Sequence, residues 1–296
     1  MSHSFSATET GALAQSNPIR RRVLVTGGAG NIGSYFAEHS HSKYDLRLMV
    51  QEIDDDARAV EKYGEVVACD LADLEKLKQI CEGIDTVLHL AGNPSPSQTW
   101  SSVIENNITG TYHTYVAAKS AGCRRVIFAS SIHAVSGYPK DVQVKTSEPV
   151  NPGDLYGVSK CFGEALGRYM AEQEGLSVIA LRIGAFQPRS SAEKMDVGMM
   201  DAWVSQRDLN QLIEKCIDAE NVKFAIFHGL SDNRFKRLDI SDARELVGYA
   251  PQDDFTQVNP LVKDLNLSEK VSAHSIQDSN DSGKHEQSSG IREEVG

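Results

Sequence analysis

The stretch VTGGAGNIGSYF, Val25 to Phe36, leaves a chain few folds to adopt. Gly27, Gly30 and Gly33 directly follow the apolar run RRVLV and open a helical pattern. Glycine at this spacing permits a turn too tight for side chains and lets the free N–H groups of a helix start approach a pyrophosphate. Without the flanking strand and helix it would be a plain turn. With them it predicts the first strand-turn-helix unit of a dinucleotide-binding sheet. The runs DLRLMV, EVVACD, DTVLHLAG, RRVIFASS and LSVIALRIG continue the alternation, with helices expected over 33–41, 73–82, 101–121 and 156–174, the last stopping at Gly175. Short runs that are apolar throughout fit strands covered on both faces. The expected fold class is α/β, a Rossmann-like doubly wound parallel sheet with a small C-terminal substrate-binding portion.

This pattern divides the chain into a flexible leader over 1–20, an NAD(P)-binding Rossmann domain with the catalytic residues over 21–184, a substrate-binding portion over 185–264, and a disordered polar tail over 265–296. The third segment is expected to carry a helix near 206–219, the strand VKFAIFHGL, and a short helix with Ser241 as its N-cap and Gly248 as its stop. A net charge of −11 speaks against a nucleic-acid partner, which needs a basic footprint. Five widely spaced cysteines without a CxxC pair read as reduced, mostly buried thiols, and no metal site is expected. No apolar run reaches the roughly 18 residues of a spanning helix, and the N-terminus lacks the order of a secretory signal. The expectation is a cytoplasmic protein with no membrane partner.

Several residues carry chemistry. Gly27, Gly30 and Gly33, with Asn31 and Ile32 between them, form the phosphate cradle. About 20 residues on, an acidic side chain is expected to hold the ribose hydroxyls. Here Gln51 stands near that position and Glu52 follows, with no arginine directly after to welcome a 2′-phosphate. NAD is therefore favoured, and NADP stays open. Asp70 and Leu71 close the third strand; Asp70 either holds an adenine edge with Leu71 or caps the next helix. Tyr156 and Lys160 share one helix face, where an ammonium can lower the phenol from its usual pKa of about 10 and make it a general base. Such a pair also occurs as a solvated face, but Ser130 and Ser131 end the fifth strand, where sheets of this kind bind ligands.

The glycine run, the serine ending the fifth strand and the YxxxK pair together resemble the extended short-chain dehydrogenase/reductases, also called NAD-dependent epimerase/dehydratases, over roughly Arg22 to Pro251. The resemblance implies that Ser131 is the catalytic serine, Tyr156 the acid or base, and Lys160 the residue that lowers the tyrosine and holds the nicotinamide ribose. It implies that Asn107 keeps a relay water in place, that Leu90, Ala91 and Gly92 pass along the cofactor, and that Ile183 joins the cofactor set. A homo-oligomer is implied as well.

FASSIHAVSGYP, LYGVSKCFGEALGRYM, LRIGAFQP and AWVSQRDLNQLIE look most like the uronate dehydrogenase branch, where His133 would match a substrate-contacting histidine. Its alternative is a histidine packed at a strand end. Ile132 stands where that branch has asparagine, and Gly198 where it has the arginine that clamps the carboxylate. Arg189 or Lys194 either replaces that arginine for a carboxylate or phosphate, or lies on a solvated loop. The expected function is NAD(P)-dependent oxidation of a hydroxyl, C1, of a small sugar, sugar acid or sugar phosphate. The alternatives are an epimerase or dehydratase without net redox change, and a non-catalytic dinucleotide-binding regulator.

Overall fold

A computed structural model describes residues 20–265, Gln98 and Met195 apart. The expected leader and tail lie outside the described residues, save Arg20 and Leu265. The apolar runs become strands: β1 (Arg22–Thr26), β2 (Asp45–Val50), β3 (Glu65–Ala68), β4 (Thr86–His89), β5 (Arg125–Ser131) and β6 (Ser177–Ile183). A short pair follows, β7 (Ala185–Phe186) with β8 (Trp203–Val204), and then β9 (Phe224–Gly229). The main sheet is parallel and seven-stranded, ordered β3-β2-β1-β4-β5-β6-β9. Val23 lies beside Leu46 on one side and Thr86 on the other. All four residues of β4 and all seven of β5 are buried, as strands covered on both faces require. The order reverses between β1 and β4, the place beyond which open α/β sheets bind their ligands.

The helices are α1 (Asn31–Ser40), α2 (Asp55–Val60), α3 (Leu74–Ile80), α4 (Trp100–Ser102), α5 (Gly110–Ser120), α6 (Leu155–Glu172), α7 (Arg189–Ala192), α8 (Gln206–Asp218) and α9 (Ser241–Val247). Short polar side chains start several of them: Asp54 accepts from the Ala57 N–H, Asp73 from Lys76, and Ser205 from Asp208. Two expected caps are corrected. Asp73 rather than Asp70 caps α3, because Asp70 turns its Oδ1 to the Ala72 N–H at 2.8 Å. Ser241 is the first residue of α9 rather than its cap, because Asp239 accepts from both its N–H and its hydroxyl. Gly248 does end that helix, with φ +69° and its N–H on the last turn.

The helix expected over 101–121 is not continuous α. Between α4 and α5 the residues Val103–Thr109 form a π-helical segment, a local widening that often marks a functional site. Asn107 sits inside it, buried. Two compact units emerge. One joins the chain up to Ala129 with Phe162–Ile179 and Asn221–Ala225; the other joins Ser130–Cys161, Ala180–Glu220 and the chain from Ile226. In the first unit α3 packs along α5. In the second, Trp203 and Phe255 meet edge to face at 6.1 Å within a core that includes Ala192, Val258 and Val262.

Candidate active site

In the first unit the loop after β1 is built as a cradle. Gly27 has φ +72°, and a Cβ there would sit 3.1 Å from the Ala91 nitrogen. Gly30 starts α1, its N–H donating to the Gly27 carbonyl at 3.0 Å. Asn31, Ile32 and Gly33 occupy the first three helical positions, where N–H groups lack intrahelical partners. No side chain caps them and no carboxylate stands in the first turn, so the positive end of the helix is open to an anion. A Cβ on Gly33 would lie 2.3 Å from the Gly27 carbonyl oxygen. A cavity of about 280 Å³ adjoins this loop, lined by Gly27, Ala29, Gly30, Val50, Gln51, Glu52, Asp54 and Asp56. These residues fit a dinucleotide: amides for its pyrophosphate, carboxylates for ribose hydroxyls.

Thr26 ties a second segment to this loop. Its hydroxyl oxygen accepts from the Leu90 and Ala91 N–H groups, both at 3.1 Å. Its own proton then goes to His89 Nδ1 at 2.8 Å, which leaves the ring proton on Nε2, 3.3 Å from the Thr111 hydroxyl. Gly92 follows with φ +149°. Asn107 Oδ1 accepts from the Asn93 N–H at 2.9 Å, and its Nδ2 donates to the Asn93 carbonyl at 3.1 Å. One buried amide thus fixes the chain beyond β4 from both sides. Asn107→Ala is expected to leave both Asn93 groups without it, at about 1–3 kcal/mol. A Tm equal to that of the unmodified chain would refute this role. Asp70 is exposed in an Asx turn, and the Leu71 carbonyl accepts from His113 Nδ1 at 2.8 Å.

In the second unit Ser131, His133, Tyr156 and Lys160 come together. Ser131 is the last residue of β5, and its hydroxyl hydrogen-bonds the Tyr156 phenol and accepts from the His133 N–H at 3.2 Å. Lys160 Nζ stands 5.3 Å over the Tyr156 ring. The His133 ring meets that ring edge-on at 5.4 Å. Burial raises Tyr156 above its usual pKa; the Ser131 hydrogen bond lowers it and the Asp154 charge raises it. The lowering expected from Lys160 is not among these influences, and burial sets the direction. Burial likewise pulls the Lys160 ammonium down to about 8.

Two residues here were missed at the level of sequence. Asp154 Oδ1 accepts from the Gly157 N–H at 2.7 Å, and Oδ2 from His133 Nδ1 at 2.6 Å. A Cβ on Gly157 would lie 2.3 Å from the His133 carbonyl oxygen. A glycine inside a helical pattern is itself a signal of close approach.

The remaining expected residues lie elsewhere in the second unit. Ile183 is the buried last residue of β6. Arg189, 58% exposed on α7, reaches Asp253 and Glu193 at 3.4 Å each. Asp253 also holds Arg207 through both oxygens at 2.6 Å. Gly198 is exposed, its N–H on Asp196 at 2.9 Å. Among the described residues no three His, Cys, Asp or Glu side chains gather as a metal site, and no helix is long and apolar enough to cross a membrane.

Comparison with known proteins agrees with this geometry. The NAD-dependent epimerase/dehydratase family matches residues 23–222. An NAD-dependent glucose-6-phosphate dehydrogenase of Haloferax volcanii is 35% identical over 246 residues, 78% of this chain and 93% of that protein. An L-arabinose 1-dehydrogenase (NAD(P)(+)) of the same organism is 35% identical over 258 residues, 80% of this chain and 98% of that protein. The crystal structure of uronate dehydrogenase from Agrobacterium tumefaciens superposes with a TM-score of 0.71 at 30% identity, over 87% of this chain and 92% of that one.

Proposed function

We propose, because the chain belongs to the NAD-dependent epimerase/dehydratase family, that it is an NAD-dependent dehydrogenase oxidising the C1 hydroxyl of a small sugar, sugar acid or sugar phosphate. The observation that carries this reading is the Ser131–Tyr156 hydrogen bond with Lys160 over the phenol ring. Relatives that act on a sugar phosphate, a pentose and a uronate support the substrate class.

NAD, when bound, supplies the carbon that accepts the hydride. The backbone N–H groups of Asn31, Ile32 and Gly33 hold its pyrophosphate, and Glu52 takes the ribose hydroxyls. Leu90, Ala91, Gly92, Asp70, Leu71 and Ile183 complete the cofactor set. Tyr156, as phenolate, takes the proton of the sugar hydroxyl that Ser131 orients. The Lys160 ammonium offsets the phenolate charge, which burial would otherwise penalise. Asn107 holds the chain that borders the cofactor. His133 and Arg189 face the sugar, Arg189 only for an anionic one. The leader, Rossmann, substrate-binding and tail divisions follow this assignment.

The protein works in the cytoplasm, in keeping with five free cysteines, four of them buried. It does so as a homo-oligomer: Leu155, Val158 and Tyr169 leave an apolar stripe exposed along α6.

The test is nicotinamide absorbance with NAD and NADP against aldoses, uronic acids and sugar phosphates. Reduced cofactor should accumulate with one of them, and kcat/KM should favour NAD over NADP by about 10²-fold, because the carboxylates lining the cavity repel a 2′-phosphate. Interconversion of sugars without net reduction would replace this reading with an epimerase.

A further inference from the structure

We propose, resting on the dehydrogenase reading above, that Asp154 is a positioning residue which holds the proton of His133 on Nδ1, so that Nε2 accepts a hydrogen bond from a substrate hydroxyl. A carboxylate can only accept, so the 2.6 Å contact from Asp154 Oδ2 places the proton on Nδ1. The ring's other nitrogen then points away from Asp154 with its lone pair free to accept. The same carboxylate caps the helix that carries the base. Its Oδ1 accepts from the Gly157 N–H at 2.7 Å, and the Asp154 carbonyl accepts from Val158 at 3.0 Å.

The geometry makes Asp154 a clamp between two catalytic segments. On one side is the turn Ile132–Val135 after β5, which brings His133; on the other is the start of α6, which brings Tyr156. The two run so close that only glycine fits at position 157, 2.3 Å from the His133 carbonyl by its missing Cβ. The turn is pinned further by Ser131, whose hydroxyl accepts the His133 N–H, and by the Ala134 carbonyl, which accepts from Asn151 at 2.9 Å. His133 and Asp154 are 31% and 24% exposed, so solvent screens the contact only partly. The groups facing Tyr156 are Ser131 at the end of β5, His133 on the turn, Asp154 ahead of the helix and Lys160 on it.

Asp154→Asn tests this without removing the cap. The amide oxygen can still accept from Gly157, while the amide NH₂ turned to His133 forces the ring proton onto Nε2. Nε2 would then donate where it had accepted. The KM for the sugar is expected to rise about tenfold, one hydrogen bond's worth. The rising limb of kcat/KM against pH is expected to move to lower pH, because a negative charge that opposes Tyr156 ionisation has gone. Asp154→Ala, which also loses the cap, is expected to add a fall in Tm that Asp154→Asn lacks. A pH profile and KM unchanged in Asp154→Asn overturn the proposal, whatever the Tm. Nitrogen-15 NMR of the neutral His133 ring in the full chain, without substrate, decides the tautomer independently of turnover. A proton on Nδ1 that shifts to Nε2 in Asp154→Asn supports the clamp even if no sugar is oxidised, in which case the dehydrogenase reading alone has failed. A wild-type proton on Nε2 overturns it.

Discussion

Tyr156→Phe is expected to lower kcat/KM by about 10² to 10⁴ while the protein stays folded and still binds NAD, because positioned general-base help is worth that much. The substitution removes one oxygen and little else. The ring keeps its edge contact with His133 and its place beneath Lys160, and Ser131 loses one partner while still accepting from the His133 N–H. The loss should fall on kcat, since the proton moves only in the reacting complex. In the parent enzyme oxidation should accelerate as pH rises, because the active form is a phenolate whose pKa burial has raised. Near-normal turnover by Tyr156→Phe would mean that another group takes the proton.

Gly33→Ala should be equally damaging through a different term. The new methyl would lie 2.3 Å from the Gly27 carbonyl oxygen and 3.0 Å from the Gly28 Cα, all backbone that cannot swing aside as a side chain would. Either α1 retreats or the loop opens, at a cost of about 1–3 kcal/mol for overpacking. Both movements displace the N–H groups of Asn31 and Ile32 from the pyrophosphate. The expected outcome is a lower Tm together with NAD affinity weakened by at least about tenfold, one hydrogen bond's worth or more. Fluorescence titration with NAD beside a thermal melt reads both. An unchanged affinity would show that the helix start does not hold the cofactor.

The sheet was legible because parallel strands covered on both faces leave continuous apolar runs, and the glycine loop because backbone contact leaves no other residue possible. The start of the helix bearing Tyr156 was legible to within a residue and its end to within two, Glu172 against 174, with Gly175 following at φ +73°. Asp154 was not, since its importance lies in a contact with His133, 21 residues earlier, that no local pattern records. The sign of the Tyr156 shift was missed for a related reason. A lysine four residues on is visible in a sequence, whereas the burial that sets the direction belongs to the packed structure. The caps expected at Asp70 and Ser241 are one to three residues out of place because nearby aspartates take the roles instead: Asp73 accepts from Lys76 while Asp70 takes Ala72, and Asp239 engages the N–H and hydroxyl of Ser241.

The π-helical segment around Asn107 makes chain length a quantity the fold counts. Removing a single residue from Val103–Thr109 would let the ladder close as ordinary α-helix, and because the widened turn already absorbs the extra residue, α4 and α5 would keep nearly the same facing. What would be lost is the widened turn itself, and with it the placing of Asn107 against Asn93. Among the described residues between Phe186 and Trp203, only the exposed stretch 196–198 has no such arithmetic, and an insertion there can lengthen at the surface while Asn259 still holds the carbonyls of Ala192 and Lys194. Variation among relatives should therefore be expected as substitution in the first place and as insertion or deletion in the second.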